Sequence, residues 1–243
     1  MRRFLITAAD SAFGIALIER MCKNGLEDVE WIYGTYFDAK EQLDVLTEAY
    51  PELKEKLILR GVDMTEMEEI EKLNDDLEGR DVITDVIHLP APKAKPLQFK
   101  KLSWDVFRAN MEISFRSAVL ILMKVLPRMA KEKNGKIILM SSYYGTEEGT
   151  PNFLAPYVST KSAMIGLTRA LAKEYGGKNI QINAMAPDLT DTKFLDDMPQ
   201  IMKDTVAAQS ERGRMLSAEE VIDVMMELLE KTNKENGVVR IVK

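Results

Sequence analysis

Short apolar runs alternate with helical hydrophobic patterns along the whole chain, and this alternation constrains the fold more than any other feature. Runs such as 4–9, 29–33 and 137–140 have the length of strands. The run 137–140 has no polar alternation, which is typical of a strand buried on both faces of a parallel sheet. Strands that alternate with helices predict parallel β-α-β units with right-handed crossovers. The predicted fold class is therefore α/β, with a doubly wound, three-layer parallel sheet.

Capping residues, prolines and glycines set the expected boundaries of these elements. The predicted strands span residues 4–9, 29–33, 57–59, 82–89, 136–140, 180–185 and 238–242. Capping residues predict three helix starts, at Thr65 with Glu68, at Ser217 with Glu220, and at Ser103. The helix that follows Ser103 is predicted to end near residue 131, another helix to span 157–175, and the segment 188–216 to be irregular. No linker divides the chain, so we predict one domain of residues 1–243.

Charge and composition exclude several classes of partner. The 243 residues carry a net charge of −6, which predicts no nucleic-acid partner and no attraction to an anionic membrane surface. The longest apolar stretch, 118–126, is interrupted by Lys124 and is far too short to span a bilayer, so no membrane partner is expected. The single Cys22 lies in a helical apolar pattern and is predicted to be a buried structural thiol. These features predict a cytoplasmic protein.

Tyr157 and Lys161 place a phenol and an ammonium four residues apart, on one face of a predicted helix. Two other pairs have this spacing and are interpreted as solvated helix surface: Tyr36 with Lys40, and Tyr50 with Lys54. The context of Tyr157 differs, because its helix follows a buried strand that ends in Ser142, and Asn110 lies on the preceding long helix. The four side chains are therefore predicted to converge on one crevice at the strand ends.

These residues and the segments around them resemble the short-chain dehydrogenase/reductase family. The similarity covers nearly the whole chain and is most specific over 135–192, which contains GKIILMSS, YVSTKSA and NIQINAMAP. It implies a Rossmann-type sheet and an NAD(P)-dependent oxidoreductase that interconverts a carbonyl and a secondary alcohol. By this resemblance Ser142 orients the substrate, Tyr157 is the acid/base, Lys161 is its partner and Asn110 is the relay residue.

Elementary chemistry supports these implied roles. A phenol with a pKa near 10 is a poor base at neutral pH, and a nearby ammonium is expected to lower the pKa of Tyr157. A hydride that arrives at a carbonyl carbon builds negative charge on the oxygen. Ser142 could meet that charge with a hydrogen bond while Tyr157 delivers the proton. Asn110 could bridge a water molecule with its donor and its acceptor, although a helix cap or core hydrogen bond explains Asn110 and Ser142 equally well.

The resemblance also implies a nicotinamide dinucleotide, NADP or NAD. The residues that it places at the cofactor are Thr7, Asp10, Ser11, Phe13, Gly14, Thr35, Asp63, Ala91, Tyr157, Lys161, Pro187 and Thr192. Among them, Thr192 would hold the nicotinamide carboxamide and Asp63 would contact adenine, unless Asp63 simply precedes a helix.

Several substitutions separate this chain from the family pattern at the cofactor. Family members usually have three glycines in the first turn, whereas here Ala8 and Ala12 leave only Gly14, and alanine at a position that needs positive φ is strained. The family's Asn-Asn-Ala-Gly becomes the segment 89–92, and its Pro-Gly becomes Pro187 and Asp188. The segment after the second strand, 34–37, has neither an acid nor a base. Asp38 or Lys40 could each reach in, and the sequence therefore only slightly favours NADP.

Two rival functions and several lesser expectations follow from the same residues. The lost glycines favour a non-catalytic dinucleotide-binding or scaffold protein, and the same fold could carry an isomerase or dehydratase.

Family members pair the helices that correspond to 103–131 and 157–175, which implies a homotetramer or homodimer. His88 is predicted to be a core residue at a strand end. Four aromatic residues are predicted either to wall a substrate pocket or to pack ordinary loops: Tyr143, Tyr144, Phe153 and Phe194.

Overall fold

Seven parallel strands form one sheet in the described part of the chain, which comprises residues 1–38, 40–149, 151–192, 195, 200–210 and 212–243 of a computed structural model. The strands are β1 (Arg2–Thr7), β2 (Val29–Tyr36), β3 (Leu57–Gly61), β4 (Asp85–His88), β5 (Gly135–Met140), β6 (Ile180–Pro187) and β7 (Val239–Val242). Their order is β3-β2-β1-β4-β5-β6-β7, and every neighbouring pair is parallel. The strand order reverses between β1 and β4, which is where this architecture forms its ligand crevice.

Helices connect the strands. They are α1 (Ala12–Lys23), α2 (Glu41–Ala49), α3 (Pro51–Lys56), α4 (Met67–Glu78), α5 (Trp104–Asn110), α6 (Ser117–Glu132), α7 (Ala155–Tyr175), α8 (Gln200–Gln209) and α9 (Ala218–Leu229). A π-helical segment, Met111–Arg116, joins α5 to α6, so that the two form one long helix with a wider turn in the middle. Within the ranges that the structure describes, none of these helices is long and apolar enough to cross a membrane.

The hydrophobic core has two parts, one on each face of the sheet. One part packs α1 and α9 against the sheet through residues such as Leu17 and Ile222. The other packs α4, α6 and α7 on the opposite face, with Leu73 and Ile121 fully or nearly fully buried. This arrangement confirms the predicted three-layer α/β fold with a doubly wound parallel sheet.

Three predicted features at helix starts differ from the structure. The predicted capping box at Thr65 is wrong, because the Thr65 hydroxyl donates to Asp63 at 2.7 Å and the helix begins two residues later. Ser103 precedes α5, but its side chain makes no capping bond. The helix that was predicted to begin at Tyr157 begins at Ala155. The predicted box at Ser217 is confirmed, with both reciprocal hydrogen bonds present.

Two predicted segments also differ from the structure. The predicted strand 82–89 is only Asp85–His88 in the structure. The hydrogen bonds to β1 begin with the Thr84 amide, which donates to the carbonyl of Arg3. At the other end, Pro90 has no N–H to donate to a neighbouring strand. The predicted irregular segment 188–216 contains α8, whose sequence shows only weak helical periodicity.

Candidate active site

A cavity of about 970 Å³ opens at the carboxyl ends of the strands, on both sides of the point where their order reverses. Predicted site residues from seven segments of the chain line it: Asp10, Ser11, Phe13, Thr35, Asp63, Ala91, Ser142, Tyr157, Lys161, Pro187 and Thr192. Parallel strands bring their carboxyl ends to one edge of the sheet, and this explains how residues so distant in sequence share one cavity.

Three predicted site residues do not line this cavity. Thr7 is fully buried beneath it, and its hydroxyl hydrogen-bonds Nδ1 of His88 at 2.9 Å. Gly14 is buried within the first turn of α1. Asn110 lines a neighbouring cavity of about 430 Å³, which Tyr157 also lines. The Asn110 amide donates to the carbonyl of Val106 at 2.9 Å, one turn earlier in its own helix, and its predicted relay role stays a prediction.

Ser142 and Tyr157 meet at the end of β5. Ser142 is the second residue after the strand, and Tyr157 lies in the first turn of α7. The Ser142 hydroxyl hydrogen-bonds the phenol oxygen of Tyr157, and its oxygen also accepts from the Tyr144 amide at 3.2 Å. Two hydroxyl groups that bond each other on a cavity wall can hold one oxygen atom of a ligand between them.

Lys161 lies one helical turn after Tyr157 and is buried, with only 2% of its surface exposed. Its Nζ donates to the carbonyl oxygen of Met140 at 2.8 Å and lies 5.6 Å from the centre of the Tyr157 ring. The Ser141 hydroxyl donates to the main-chain carbonyl of Lys161 at 2.8 Å, which ties α7 to the end of β5. The ammonium is thus held between the strand end and the phenol.

The protonation of the two groups is governed by burial. Burial raises the pKa of the Tyr157 phenol to about 12, although the hydrogen bond from Ser142 acts in the opposite direction. Burial also lowers the pKa of Lys161 to about 7. The expectation that Lys161 would lower the pKa of Tyr157 is therefore wrong for this structure, because desolvation of the phenolate dominates. Tyr157 holds its proton at neutral pH.

His88, the one histidine of the sequence, is buried beneath the site, which confirms its predicted place as a core residue at a strand end. Its Nε2 lies 2.9 Å from the carbonyl oxygen of Ser114 in the π-helical segment, and its Nδ1 bonds Thr7 at the end of β1. Burial lowers the pKa of His88 to about 3, so the imidazole is neutral. Sequence reasoning missed this connection between β1 and the π-helical segment, because no local motif marks it.

The first turn, residues 8–14, is anchored to the end of β2 and opens on the cavity. The amides of Ala8 and Ala9 donate to Thr35, at 3.1 Å to its hydroxyl and 2.7 Å to its carbonyl. A Cβ on Gly14 would lie 2.5 Å from the carbonyl oxygen of Ala9, so only glycine allows this close approach. Ala12 and Phe13 line the cavity at the start of α1, where N–H groups have no partner within the helix. These residues fit a dinucleotide.

The backbone of Ala8 has φ +53, the left-handed region that favours glycine. Replacing Ala8 with glycine should therefore stabilise the protein by about 1 kcal/mol, because the strain at the Cβ is relieved. For a chain of this size, that gain corresponds to a melting temperature about 2–4 °C higher, which calorimetry would measure. Ala12→Gly is the matched control, since Ala12 has no positive φ, and it should not raise the melting temperature. A fall in stability for Ala8→Gly would contradict this reading of the turn.

The far end of the cavity lies beside the end of β2. Asp10 Oδ2 accepts from the Phe37 amide at 3.3 Å, and Asp38 follows at the cavity wall. Asp63 lines this end too, but its Oδ1 accepts from the Thr65 amide and hydroxyl at 2.8 and 2.7 Å. The Asp63 carboxylate therefore also organises the turn before α4, in agreement with the alternative prediction that Asp63 precedes a helix.

The four aromatic residues have different positions. Tyr144 lines the larger cavity, where burial together with the charge of Asp188 raises the pKa of its phenol to about 12. Tyr143 packs under the ammonium of Lys243, which lies 4.6 Å from its ring centre. Phe153 is 51% exposed. Phe194 lies outside the described residues. Only Tyr144 is shown to fit the predicted pocket wall.

Comparison with known proteins gives matches over most of the chain. A family model described as enoyl-(acyl carrier protein) reductase matches residues 8–235. A protein of Aquarana catesbeiana named dehydrogenase/reductase SDR family member 6 is 33% identical over 169 residues, which cover 67% of this chain and 66% of that protein. The 3-oxoacyl-acyl-carrier-protein reductase FabG of Thermotoga maritima is 29% identical over 226 residues, which cover 91% of this chain and 87% of that protein.

Solved structures show the same fold at lower identity. The structure of levodione reductase has a TM-score of 0.87 and 22% identity, and the match covers 100% of this chain and 96% of that one. The structure of ElxO with NADP bound has a TM-score of 0.85 and 21% identity, with 99% of this chain and 96% of that one covered.

Proposed function

The chain belongs to the short-chain dehydrogenase/reductase family, and we propose that it interconverts a carbonyl and a secondary alcohol of a small molecule, with Tyr157 as the acid/base. The observation that carries this proposal is the hydrogen-bonded pair of Ser142 and Tyr157 on the wall of a large cavity, with the buried ammonium of Lys161 beside it.

A nicotinamide dinucleotide is the proposed cofactor, and it would supply or accept the hydride. The turn 8–14 would hold its pyrophosphate, and the segment from Pro187, the last residue of β6, to Thr192 would hold its nicotinamide end. NAD and NADP are both compatible with these contacts, and NADP-bound ElxO shares the fold.

The protein's own residues account for the proton chemistry of reduction. Ser142 would donate a hydrogen bond to the substrate oxygen as negative charge builds on it. Tyr157 holds its proton at neutral pH and would transfer it to that oxygen. The phenolate formed in this step would then be stabilised by the protonated form of Lys161, which is present at pH values up to about its pKa of 7 and whose Nζ is already fixed by the Met140 carbonyl. In the oxidation direction the same groups would act in reverse order.

One observation favours the rival function, a dinucleotide-binding or scaffold protein without catalysis. The strained Ala8 is in the turn that would hold the pyrophosphate, so affinity should be reduced. A mis-paired phosphate contact costs about 1–3 kcal/mol, or a factor of roughly 5–150 in the dissociation constant.

Calorimetric titration with NADH and NADPH, followed by a panel of ketones and secondary alcohols, tests both functions. We expect dissociation constants on the order of tens to hundreds of micromolar and measurable turnover. Binding without turnover of any member of a broad panel would favour the scaffold. No heat of binding at millimolar nucleotide would contradict the oxidoreductase proposal.

A homodimer or homotetramer is the proposed assembly. Met123 on α6 is 67% exposed and Trp104 on α5 is 72% exposed. Both lie on the long helix that family members pack against the neighbouring subunit, so contact with a second copy would cover them. Light scattering at micromolar concentration should give a dimeric or tetrameric mass, and a monomeric mass would contradict the proposal. A cytoplasmic location is proposed as well, consistent with the buried free thiol of Cys22.

A further inference from the structure

The π-helical segment Met111–Arg116 and the residue before it reach both cavities. Ile113 lines the larger cavity. Asn110, which directly precedes the segment, lines the smaller cavity together with Tyr157. A shift of this segment would therefore change the walls on both sides of the candidate acid/base.

The start of the π-helical segment also contacts the helix that carries the acid/base pair. The Thr160 hydroxyl donates to the carbonyl of Pro156 at 2.9 Å, and it lies 3.3 Å from the sulfur of Met111. Thr160 is 1% exposed and directly precedes Lys161 on α7. The segment is thus packed against the turn of α7 that holds the ammonium.

Side chains complete the hydrogen bonding of this wide helical turn. The Ser117 amide donates to the carbonyl of Glu112, five residues earlier, and so passes over the carbonyl of Ile113. The Ser117 hydroxyl donates to that carbonyl instead, at 2.5 Å. The next carbonyl, that of Ser114, lies 2.9 Å from Nε2 of His88. His88 is the contact in this set that comes from the central sheet rather than from the helix itself.

The partners of His88 determine which ring nitrogen carries the proton. The Ser114 carbonyl can only accept, so Nε2 donates to it. The Ser117 hydroxyl, 3.2 Å from Nε2, already donates elsewhere and is consistent with a proton on this nitrogen. Burial keeps the pKa of His88 at about 3, so the ring is neutral and Nδ1 is an acceptor. Nδ1 therefore accepts from the Thr7 hydroxyl at 2.9 Å.

The neutral ring joins the end of β1 to the π-helical segment. Thr7 is the last residue of β1 and directly precedes the first turn, which would hold the pyrophosphate. Thr7 and Ser114 are 0% and 1% exposed. An apolar side chain in place of His88 would take this partner from two buried polar groups, and the loss of a partner in the interior is costly. We therefore expect the segment to shift when the ring is replaced.

We propose that His88 is a positioning residue, which holds the π-helical segment against the end of β1 and so places Asn110 and Ile113 at the two cavities. The proposal rests on the proposed function, since its consequence is a change in turnover. The first turn keeps its own hydrogen bonds to Thr35 when His88 is replaced. Turnover should therefore depend on His88 more strongly than nucleotide affinity does.

Nitrogen NMR of the full chain tests the assigned hydrogen bonds without any assay of activity. His88 is the one histidine of the sequence, so ¹⁵N-histidine labelling of protein without a histidine tag gives the signals of this ring alone. At neutral pH we expect an uncharged ring with its proton on Nε2. A proton on Nδ1, or a charged ring, would overturn the proposal and leave the oxidoreductase function standing.

Three variants separate the two hydrogen bonds of His88. The amide of glutamine reaches about as far as Nε2, so His88→Gln keeps a donor for Ser114. The amide of asparagine reaches about as far as Nδ1, so His88→Asn keeps only an acceptor for Thr7, and His88→Leu keeps neither. We expect His88→Asn and His88→Leu to lower kcat at least about tenfold while the nucleotide dissociation constant changes less than about threefold. His88→Gln should recover most of kcat.

Asn183→Leu is the matched control for a loss of buried hydrogen bonds. Asn183 and His88 are each 2% exposed. The Asn183 amide donates to the Glu235 carbonyl at 2.9 Å and accepts from the Val238 amide at 3.2 Å. Asn183 is not among the described residues that line either cavity. Its replacement should lower the melting temperature about as much as His88→Leu does, but keep kcat within about twofold.

The kinetic outcomes separate this proposal from the proposed function. Unchanged kcat in His88→Leu, an equal loss of kcat in Asn183→Leu, or no recovery in His88→Gln would overturn the positioning role alone. Absence of turnover in the unaltered protein would overturn the proposed function and the role of His88 with it.

Discussion

Replacing Tyr157 with phenylalanine should lower turnover by a factor on the order of 10² or more while the fold and the nucleotide affinity stay nearly unchanged. The substitution removes one hydroxyl, which is both the proposed proton donor and the hydrogen-bond partner of Ser142. The ring itself, with Lys161 Nζ 5.6 Å from its centre, keeps its place. Steady-state kinetics and nucleotide titration of the variant measure the two effects separately.

Tyr50→Phe is the control for this experiment. Tyr50 and Lys54 have the same spacing in sequence as Tyr157 and Lys161, but they lie at the junction of α2 and α3, outside the cavity. The control variant should keep its turnover within about twofold of the unaltered protein. If Tyr157→Phe retains most of its activity, the phenol is structural and another group must transfer the proton.

Replacing Lys161 with methionine should abolish most activity and yet stabilise the protein. Burial lowers the pKa of Lys161 from 10.5 to about 7. Between pH 7 and pH 10.5 the unfolded chain binds this proton and the folded protein does not. The free energy of unfolding therefore rises with pH across this window, and this contribution is lost as the pH falls toward 7. Methionine fills a similar volume without a charge to bury. We expect a turnover loss on the order of 10² or more and a melting temperature a few degrees higher at neutral pH.

Lys136→Met serves as the control for the lysine experiment. Lys136 is also partly buried with a lowered pKa, and its Nζ donates to the carbonyls of Leu228 and Asn233 at 3.2 and 2.8 Å. It lies near the amino end of β5, at the opposite edge of the sheet from the cavity. Its loss should change stability but leave turnover within about twofold. A Lys161→Met variant that keeps its turnover would contradict the proposed role of Lys161 in catalysis. A variant that melts several degrees lower would contradict the expectation that burying the amino group destabilises the fold.

Local sequence signals predicted most of the fold, because strands and helices report their own periodicity. The buried run of β5 and the capping box at Ser217 have structures that neighbouring residues determine. The failures have two physical causes, which are competition from a partner that the local pattern does not show and weak local periodicity. At Thr65 the carboxylate of Asp63 takes the hydroxyl that would have capped the helix, and the weakly periodic α8 was not recognised.

The candidate site also contains residues that local sequence predicts and one whose position only the tertiary structure shows. Ser142, Tyr157 and Lys161 were predictable because one strand end and one helix turn carry them, and their spacing in sequence sets their spacing in space. Asn110 was grouped with them by its order in the chain, and in the structure it lines the second cavity, whose wall also includes Tyr157. The wider turn that follows it, Met111–Arg116, rotates the later part of the helix relative to Asn110, and no sequence period indicates such a turn.

By itself the sequence determined the order of strands and helices and the spacing of Tyr157 and Lys161, since each depends on residues a few positions apart. The alternation of strands with helices then implied a parallel sheet. Only the tertiary structure decided how distant segments act on one another. It brought Asp10 against the Phe37 amide and placed His88 between β1 and the π-helical segment. It also reversed the expected pKa shift of Tyr157, because desolvation depends on everything that surrounds a group rather than on its neighbours in sequence.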